Sequence, residues 1–314
     1  MENRVENKIE VKTNNNGVKN VVSDLGNYGV KAINEEGYQI NFRSNLSRDY
    51  ESYPDGFQYV LLDGEYTFFE KGSFSMEYIK TSKNYTAQLL YSISRLYENE
   101  DILEINLTLL LPIGEMEHKQ RYINDLKGKE FTFTVRTSKK QDKIIKINDV
   151  MVIPEGFASY FTLKEEIKSS SVLLIDVGGR TSNVVAIDNG VPQVLNTYKI
   201  GILNFYMKLQ KLNEDKEYKL EDIEKAIKKA DIKITKKQLG TFMQDIINEI
   251  KINVNLNQYE NVVFTGGGSK VLEEIINEVL PKNCYLHENP LYSNITGAME
   301  ASKIAFNNVK KIGA

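Results

Sequence analysis

The sequence predicts an α/β protein made of two similar halves. An apolar strand that ends in Asp-x-Gly occurs at residues 21–26 and again at residues 173–178, and each copy is followed by a tight polar turn and a second apolar strand. Strands alternate with helices along the rest of the chain, which is typical of α/β domains. The 314 residues are enough for two domains with separate cores.

In the first half, short apolar runs predict strands, and one stretch predicts a clear helix. The helix is expected over residues 85–97, because the apolar side chains from Leu89 to Leu96 recur at spacings of three and four. A further helix is expected from residue 156 to about 168. The predicted strands cover residues 21–22, 37–42, 59–63, 66–69, 105–111, 131–136, 144–147 and 150–153.

The second half repeats the pattern with a longer helical stretch. Strands are predicted at residues 172–176, 184–187 and 261–265. Residues 202–258 interleave Lys with Glu and are expected to be mostly helical. Helices are also predicted from Ser269 and from near Ile295. Because no Pro/Gly/Ser-rich linker separates the halves, we expect them to be closely coupled.

Composition narrows the classes of protein that fit. The formal net charge is -3, so the chain has no global attraction to nucleic acid or to acidic membranes. A single cysteine, Cys284, rules out an internal disulfide framework and suits a reducing compartment. No apolar run approaches the ~20 residues of a membrane span, and residues 1–18 are expected to be a flexible polar segment. We therefore expect a cytoplasmic protein without membrane contact.

The duplicated Asp-x-Gly turn predicts a polyphosphate site. Glycine permits the backbone conformations and close approach that a phosphate-binding turn needs. An Asp at the strand end can hold Mg²⁺, usually through water. One such hairpin alone is most often just a turn, but two at matching positions predict a cleft that grips phosphates from both sides. The usual phosphate loops, GxxxxGK[ST] and a strand-bounded GxGxxG, are absent from the sequence.

These motifs resemble those of the actin, sugar-kinase and heat-shock-chaperone ATPase superfamily. The two turns are similar to its phosphate-1 and phosphate-2 motifs, and residues 262–269, Val-Val-Phe-Thr-Gly-Gly-Gly-Ser, look like its adenosine motif. Residues 154–158 and 296–298 are placed like its two hinges. Within the superfamily the chain resembles bacterial plasmid-segregation actins of the ParM type, through Asp176-Val-Gly-Gly-Arg-Thr181 and the approach to the first hinge.

The resemblance implies an actin-like fold, in which two duplicated ribonuclease-H-like domains flank a nucleotide cleft. Domain I would span residues 19–168 and carry a small inserted subdomain at about 38–98. Domain II would span residues 169–295 with a helical insertion at about 203–258. The C-terminal helix, residues 296–314, would return to domain I.

The resemblance also implies which residues bind the nucleotide. Asp24 and Asp176 would carry the water shell of Mg²⁺; the alternative is that they only cap their turns. The implied nucleotide and phosphate contacts are Gly26, Asn27, Tyr28, Gly29, Lys31, Gly178, Gly179, Arg180, Thr181, Gly266, Gly267, Gly268 and Ser269. Two further alternatives stay open: Lys31 as a solvated surface charge, and the three glycines as an ordinary turn before a helix.

The resemblance implies that Glu155 and Asp176 are the catalytic residues. Glu155 is the candidate for orienting the attacking water. The role is carried over from the acidic residue at the family's first hinge, and a general base typically contributes about 10²–10⁴-fold. The alternative is a first-turn acid that stabilises the dipole of the helix after Pro154.

The implied function is a filament-forming ATPase that segregates plasmid DNA. ATP or GTP with Mg²⁺ would close the cleft, subunits would stack on one another, and a centromere-binding adaptor protein would join the filament to DNA, which the chain itself would contact only indirectly. The Lys/Glu-rich residues 213–237 predict a solvated helical face rather than a nucleic-acid site. A small-molecule kinase of the same fold and a non-segregating cytoskeletal or division homologue stay open as alternatives.

Overall fold

The computed structural model describes residues 17–312, so the predicted flexible segment lies outside it except for residues 17 and 18. The described strands are Lys19–Leu25 (β1), Gly29–Asn34 (β2), Gln39–Arg43 (β3), Leu46–Ser47 (β4), Tyr59–Leu62 (β5), Glu65–Phe69 (β6), Ile102–Leu111 (β7), Glu130–Arg136 (β8), Lys140–Pro154 (β9), Ser171–Val177 (β10), Ser182–Asp188 (β11), Val191–Tyr198 (β12), Asn261–Thr265 (β13) and Cys284–Leu286 (β14). The described α-helices are Thr86–Leu96 (α1), Lys119–Leu126 (α2), Phe157–Tyr160 (α3), Glu165–Lys168 (α4), Ile202–Leu212 (α5), Ile223–Lys228 (α6), Lys236–Ile250 (α7), Gly266–Val271 (α8), Glu273–Val279 (α9) and Ser293–Ile312 (α10).

Two sheets share one topology, which confirms the predicted duplication. The first contains the order β3-β2-β1-β7-β9 and the second the order β12-β11-β10-β13-β14. In both, three antiparallel strands are followed by two that run parallel to the central one. The first sheet continues through β8, β5, β6 and β4, three of which fall within the predicted insertion at about 38–98.

The two Asp-x-Gly hairpins match residue by residue. Asp24 pairs with Lys31 across β1 and β2, and Asp176 pairs with Asn183 across β10 and β11. Both pairs are seven residues apart in the sequence, so the turn from Gly26 occupies the same place in its hairpin as the turn from Gly178. Asp24 and Asp176 therefore occupy equivalent positions in their two sheets.

Apolar packing fixes the elements around these hairpins. Leu89, Leu90 and Ile93 of α1 are fully buried against the first sheet, which confirms the predicted helix. Complete burial of one such side chain stabilises the fold by about 1.5–3 kcal/mol. A second core joins β10, β11 and β13 to α5, α7 and α9. Helix α10 packs on α3 and on β1, β2 and β7, so the last helix lies on the first sheet.

Some elements differ from the prediction. The strands expected at 144–147 and 150–153 are one strand, β9, because Ile105 pairs with Ile147 while Asn106 pairs with Asp149. The extra residue of β9 at this point shifts the alternation of apolar and polar side chains, so the sequence shows two short strands instead of one continuous strand. The helix expected up to about residue 168 is broken into α3 and α4. Strands β4, β12 and β14 were not predicted; β12 is an edge strand with few buried side chains. Within residues 17–312, no helix is long and apolar enough to cross a bilayer.

Candidate active site

The two hairpin turns touch each other. A Cβ atom at Gly179 would lie 2.7 Å from Cβ and 3.0 Å from the backbone nitrogen of Tyr28. A side chain at position 179 would therefore push the turns apart, and glycine is required by this close approach. The peptide N–H groups of Ile202 and Leu203, at the start of α5, donate to the carbonyl oxygens of Gly178 and Gly179, which fixes the second turn.

Three buried carboxylates converge beside these turns. Asp24 and Asp176 are the next-to-last residues of β1 and β10, and Glu155 directly follows β9. Asp24, Asp176 and Glu155 are 5%, 3% and 6% exposed. The Lys80 ammonium lies 2.7 Å from Oδ1 of Asp24 and also contacts Oε1 of Glu155. On the other side, Nζ of Lys31 is 3.5 Å from Oδ2 of Asp24. Lys31 is thus an ion-pair partner within the cleft rather than a solvated surface charge.

Burial and neighbouring charges shift the pKa values of the three acids in different directions. Burial opposes ionisation of Asp24, but the ammonium groups of Lys80 and Lys31 outweigh it and hold its pKa below the ordinary value. Burial, with repulsion by Asp24 and Asp176, raises the pKa of Glu155 to about 7 against the attraction of Lys80. Burial also raises the pKa of Asp176, while a hydrogen bond from Asn294 opposes that shift.

Two buried asparagines orient the acids. Nδ2 of Asn183 donates to Oε2 of Glu155 at 3.0 Å, so the second half holds an acid of the first. Nδ2 of Asn294 donates to Oδ2 of Asp176 at 2.8 Å, and its Oδ1 accepts from the backbone nitrogen of Gly156 at 2.9 Å. Glu155 is therefore held by a contact that crosses between the halves, and Asn294 links Asp176 to the backbone of the first half at Gly156.

These contacts exclude two alternative roles: Glu155 as a helix-dipole acid, and Asp24 and Asp176 as residues that only cap their turns. Helix α3 has no acidic residue in its first turn, so the interpretation of Glu155 as a helix-dipole acid is wrong. The side-chain hydrogen bonds of Asp24 go to two lysines and those of Asp176 to Asn294, instead of to the amides of their own turns.

Two further cations lie at the turns without a carboxylate partner. Nζ of Lys83 contacts Oδ1 of Asn27, and burial together with repulsion by Lys80 lowers its pKa. Arg180 is 2% exposed; Nη2 donates to the carbonyl oxygen of Ser75 at 2.7 Å, while Nε has no hydrogen-bond partner. Within residues 17–312, neither cation forms an ion pair. A half-buried lysine and a buried arginine without ion pairs indicate that an anion belongs beside them.

The glycine-rich turn after β13 adjoins the same carboxylates. Gly266 has φ +85°, and a Cβ there would lie 2.3 Å from Oδ1 of Asp176. Helix α8 already begins at Gly266, three residues before the predicted start. The hydroxyl of Ser269 donates to the carbonyl oxygen of Thr265. Gly267 is the more open position, since its Cβ would meet only Leu291, at 3.6 Å. The turn thus lies against Asp176, and its three glycines are not equivalent.

The side chain of Tyr28 points away from the three carboxylates of Asp24, Glu155 and Asp176. Its hydroxyl donates to Glu224, and its ring lies 5.3 Å from that of Phe74 and 5.9 Å from that of Tyr206, measured between centroids. The side chain thus packs in the second half, and only the backbone of Tyr28 belongs to the turn.

Sequence reasoning missed four polar residues of the site: Lys80, Lys83, Asn183 and Asn294. Asn183 could have been found, because it occupies the position of the second hairpin that matches Lys31 in the first. Asn294 lies next to the second predicted hinge. No pattern marks Lys80 and Lys83, which reach the cleft from an irregular segment before α1.

The donor set suits Mg²⁺ held together with a polyphosphate. Within residues 17–312, no three His, Cys, Asp or Glu side chains form a group that could enclose a metal ion. Mg²⁺ usually keeps several waters and binds through one or two carboxylates plus substrate phosphates. The paired Asp24 and Asp176, with unpaired cations nearby, fit that mode.

Comparisons with known proteins agree with this architecture. Residues 23–157 match the family described as the actin like proteins N terminal domain. No curated protein matches the sequence of the chain. Among solved structures, the chain is similar to a 15-stranded ParM filament from Clostridium botulinum, with 21% identity, a TM-score of 0.76, and coverage of 92% of this chain and 99% of that one.

Two other solved structures extend the comparison. One is the pCBH ParM non-polymerisable quadruple mutant, with 22% identity, a TM-score of 0.74, and coverage of 92% and 100%. The other is Ta0583, an archaeal actin homolog in complex with ADP, with 17% identity, a TM-score of 0.71, and coverage of 91% and 100%. The chain therefore has the actin-like fold, with the two duplicated ribonuclease-H-like halves that its sequence predicts, and its first half matches the N-terminal domain of actin-like proteins.

Proposed function

We propose that the chain binds a nucleoside triphosphate with Mg²⁺ between its two hairpin turns, hydrolyses it, and couples this cycle to filament assembly. The observation that supports the proposal is the pair of matching hairpins, whose turns touch and whose buried Asp24 and Asp176 lie near enough to repel each other. The fold supports it, since similar structures include a filament and an ADP complex. Either ATP or GTP fits this description.

Phosphate binding would use the cations that lack an anionic partner. Lys83 and Arg180 lie at the first and second turns respectively, and the backbone N–H groups of the two turns supply further donors. Asp24 and Asp176 would hold the water shell of Mg²⁺. When bound, Mg²⁺ would neutralise charge that develops on the phosphate oxygens.

Glu155 is the residue we assign to the attacking water. A pKa of about 7 suits a general base at neutral pH, because it can then both accept and release a proton. Asn183 fixes one carboxylate oxygen, which keeps the group oriented toward the cleft. Asn183 belongs to the second half, so the orientation of Glu155 depends on how the halves are closed.

Assembly is proposed to be head-to-tail, since heterologous contacts that do not close generate filaments. Among the similar structures are a 15-stranded ParM filament and a non-polymerisable ParM mutant. We propose that the protein acts in the cytoplasm, where its filament segregates plasmid DNA through a centromere-binding adaptor protein. The net charge of -3 gives no support for direct DNA contact.

Calorimetric titration with ATP and with GTP, each with Mg²⁺, tests the site. Asp176→Asn keeps the shape of the side chain but removes its charge, and we expect affinity to fall at least about 10-fold, or 1.4 kcal/mol. Asp188→Asn is the matched control, because Asp188 is exposed at the opposite end of the same hairpin. Wild-type affinity in Asp176→Asn, or no binding of either nucleotide to the wild type, contradicts the proposal.

A further inference from the structure

Residues 73–83, which we call the cleft strap, run from β6 to α1 and contact both halves. The start of the strap is held by the second half. Phe74 is buried in the second core, and its N–H donates to Oε1 of Glu221 at 2.7 Å. Arg180 donates to the carbonyl oxygen of Ser75 at 2.7 Å, and its guanidinium carbon lies 5.3 Å from the ring centroid of Tyr78.

The end of the strap is held by the first half. The backbone nitrogen of Lys80 donates to Oε2 of Glu115 at 2.8 Å, and its ammonium lies between Asp24 and Glu155. Lys80 is 3% exposed. A charge buried this deeply needs compensating charges, and the two carboxylates supply them. The strap therefore places a cation beside the acid proposed to carry Mg²⁺.

Both oxygens of Asp24 are already engaged. Lys80 contacts Oδ1 and Lys31 contacts Oδ2, so a metal-bound water beside this carboxylate would compete with a lysine for one of its oxygens. Lys31 lies on β2 directly opposite Asp24 and is fixed by the sheet. Lys80 lies on a segment that belongs to no strand and contains the 3₁₀ turn Lys80–Ser82 and an isolated bridge between Ser73 and Leu46. Lys80 is therefore the lysine whose backbone is not held by the sheet.

We propose that Lys80 is an internal cation that occupies the place of a metal-bound water beside Asp24, and that the strap is released when nucleotide with Mg²⁺ binds. This inference rests on the proposed function. The same movement would free Oε1 of Glu155, which Lys80 now contacts. Release of the strap therefore links the arrival of nucleotide to the availability of the general base.

Thermal unfolding with MgCl₂ alone tests the role of Lys80 without nucleotide. In Lys80→Met the carboxylates lose their internal cation, so we expect about 10 mM MgCl₂ to raise its unfolding midpoint by several degrees. The wild type should not respond. Lys71→Met is the control, because Lys71 pairs with Glu51 outside the cleft, and it should not respond either. An unchanged midpoint in a folded Lys80→Met overturns the proposal.

Hydrogen exchange on the wild type tests the release itself and does not depend on the variant folding. We expect amides of residues 73–83 to exchange at least about 10-fold faster with Mg-ATP than without it. Equal or slower exchange, with calorimetry showing that ATP is bound, overturns the proposal. Failure of the wild type to bind any nucleotide would instead contradict the proposed function, and the MgCl₂ comparison would still decide the role of Lys80.

Discussion

Asn294→Ala tests whether the contacts that join the halves stabilise the site. Asn294 donates to Oδ2 of Asp176 and accepts from the backbone nitrogen of Gly156, and it is 9% exposed. A hydrogen bond to a charged group contributes about 1.5–3 kcal/mol, and a buried N–H left unpaired costs about 1–3 kcal/mol. Together these predict a loss of about 2.5–6 kcal/mol in the free energy of unfolding.

Urea unfolding of the wild type and the variant measures this loss. Asn277→Ala is the control, because Asn277 is exposed on α9, and it should change the free energy of unfolding by no more than about 0.5 kcal/mol. The variant should also bind nucleotide more weakly, since Asp176 loses the partner that orients it. A loss below about 1 kcal/mol in Asn294→Ala would contradict this prediction, because it would mean that water replaces the hydrogen bonds of Asn294, including the one from the hydroxyl of Ser159.

Three further predictions follow from single contacts. Glu155→Gln should slow phosphate release by about 10²-fold or more with nucleotide affinity nearly kept; release within about threefold of the wild type, measured beside the exposed-site control Glu165→Gln, would exclude Glu155 as the base. The pKa of Glu155 is raised from 4.5 to about 7, so its contribution to the free energy of unfolding should be fully present below pH 4.5. This contribution should fall by up to about 1.4 kcal/mol per pH unit as pH rises to 7. Equal pH slopes in urea unfolding of the wild type and Glu155→Gln would contradict that shift. Gly179→Ala should destabilise the chain by about 1–3 kcal/mol by pushing the turns apart, whereas Gly240→Ala on α7, with open space around it, should stabilise it by about 0.5–1 kcal/mol; equal thermal midpoints for the two variants would speak against contact between the turns.

The sequence was sufficient for the fold because the fold is a duplication. Two apolar strands with Asp-x-Gly turns at matching positions predicted two equivalent hairpins, and β1–β2 and β10–β11 pair in that register. Helix α1 was predictable because one of its faces is wholly apolar. Strands β12 and β14 were missed, since an edge strand buries few side chains and three residues are too few to show a period.

The site was predictable only where backbone conformation demands particular residues. Glycines and the Asp at a strand end leave a pattern, because turn geometry restricts which residues fit there. Lys80 leaves none, since it reaches the cleft along an irregular segment from 56 residues beyond Asp24 in the chain. The same holds for Asn294, which meets Asp176 across 118 residues. Contacts of this kind depend on how the halves pack, and one sequence does not display them.

We propose that nucleotide with Mg²⁺, bound at the paired turns, drives assembly. Sedimentation and electron microscopy of the wild type and Asp176→Asn, each with Mg²⁺ and with ATP, GTP or a non-hydrolysable analogue, test it most directly. We expect filaments of the wild type with nucleotide, none without it, and none of Asp176→Asn under any condition. A wild type that stays monomeric with all three nucleotides, or filaments of Asp176→Asn as abundant as those of the wild type, would contradict it.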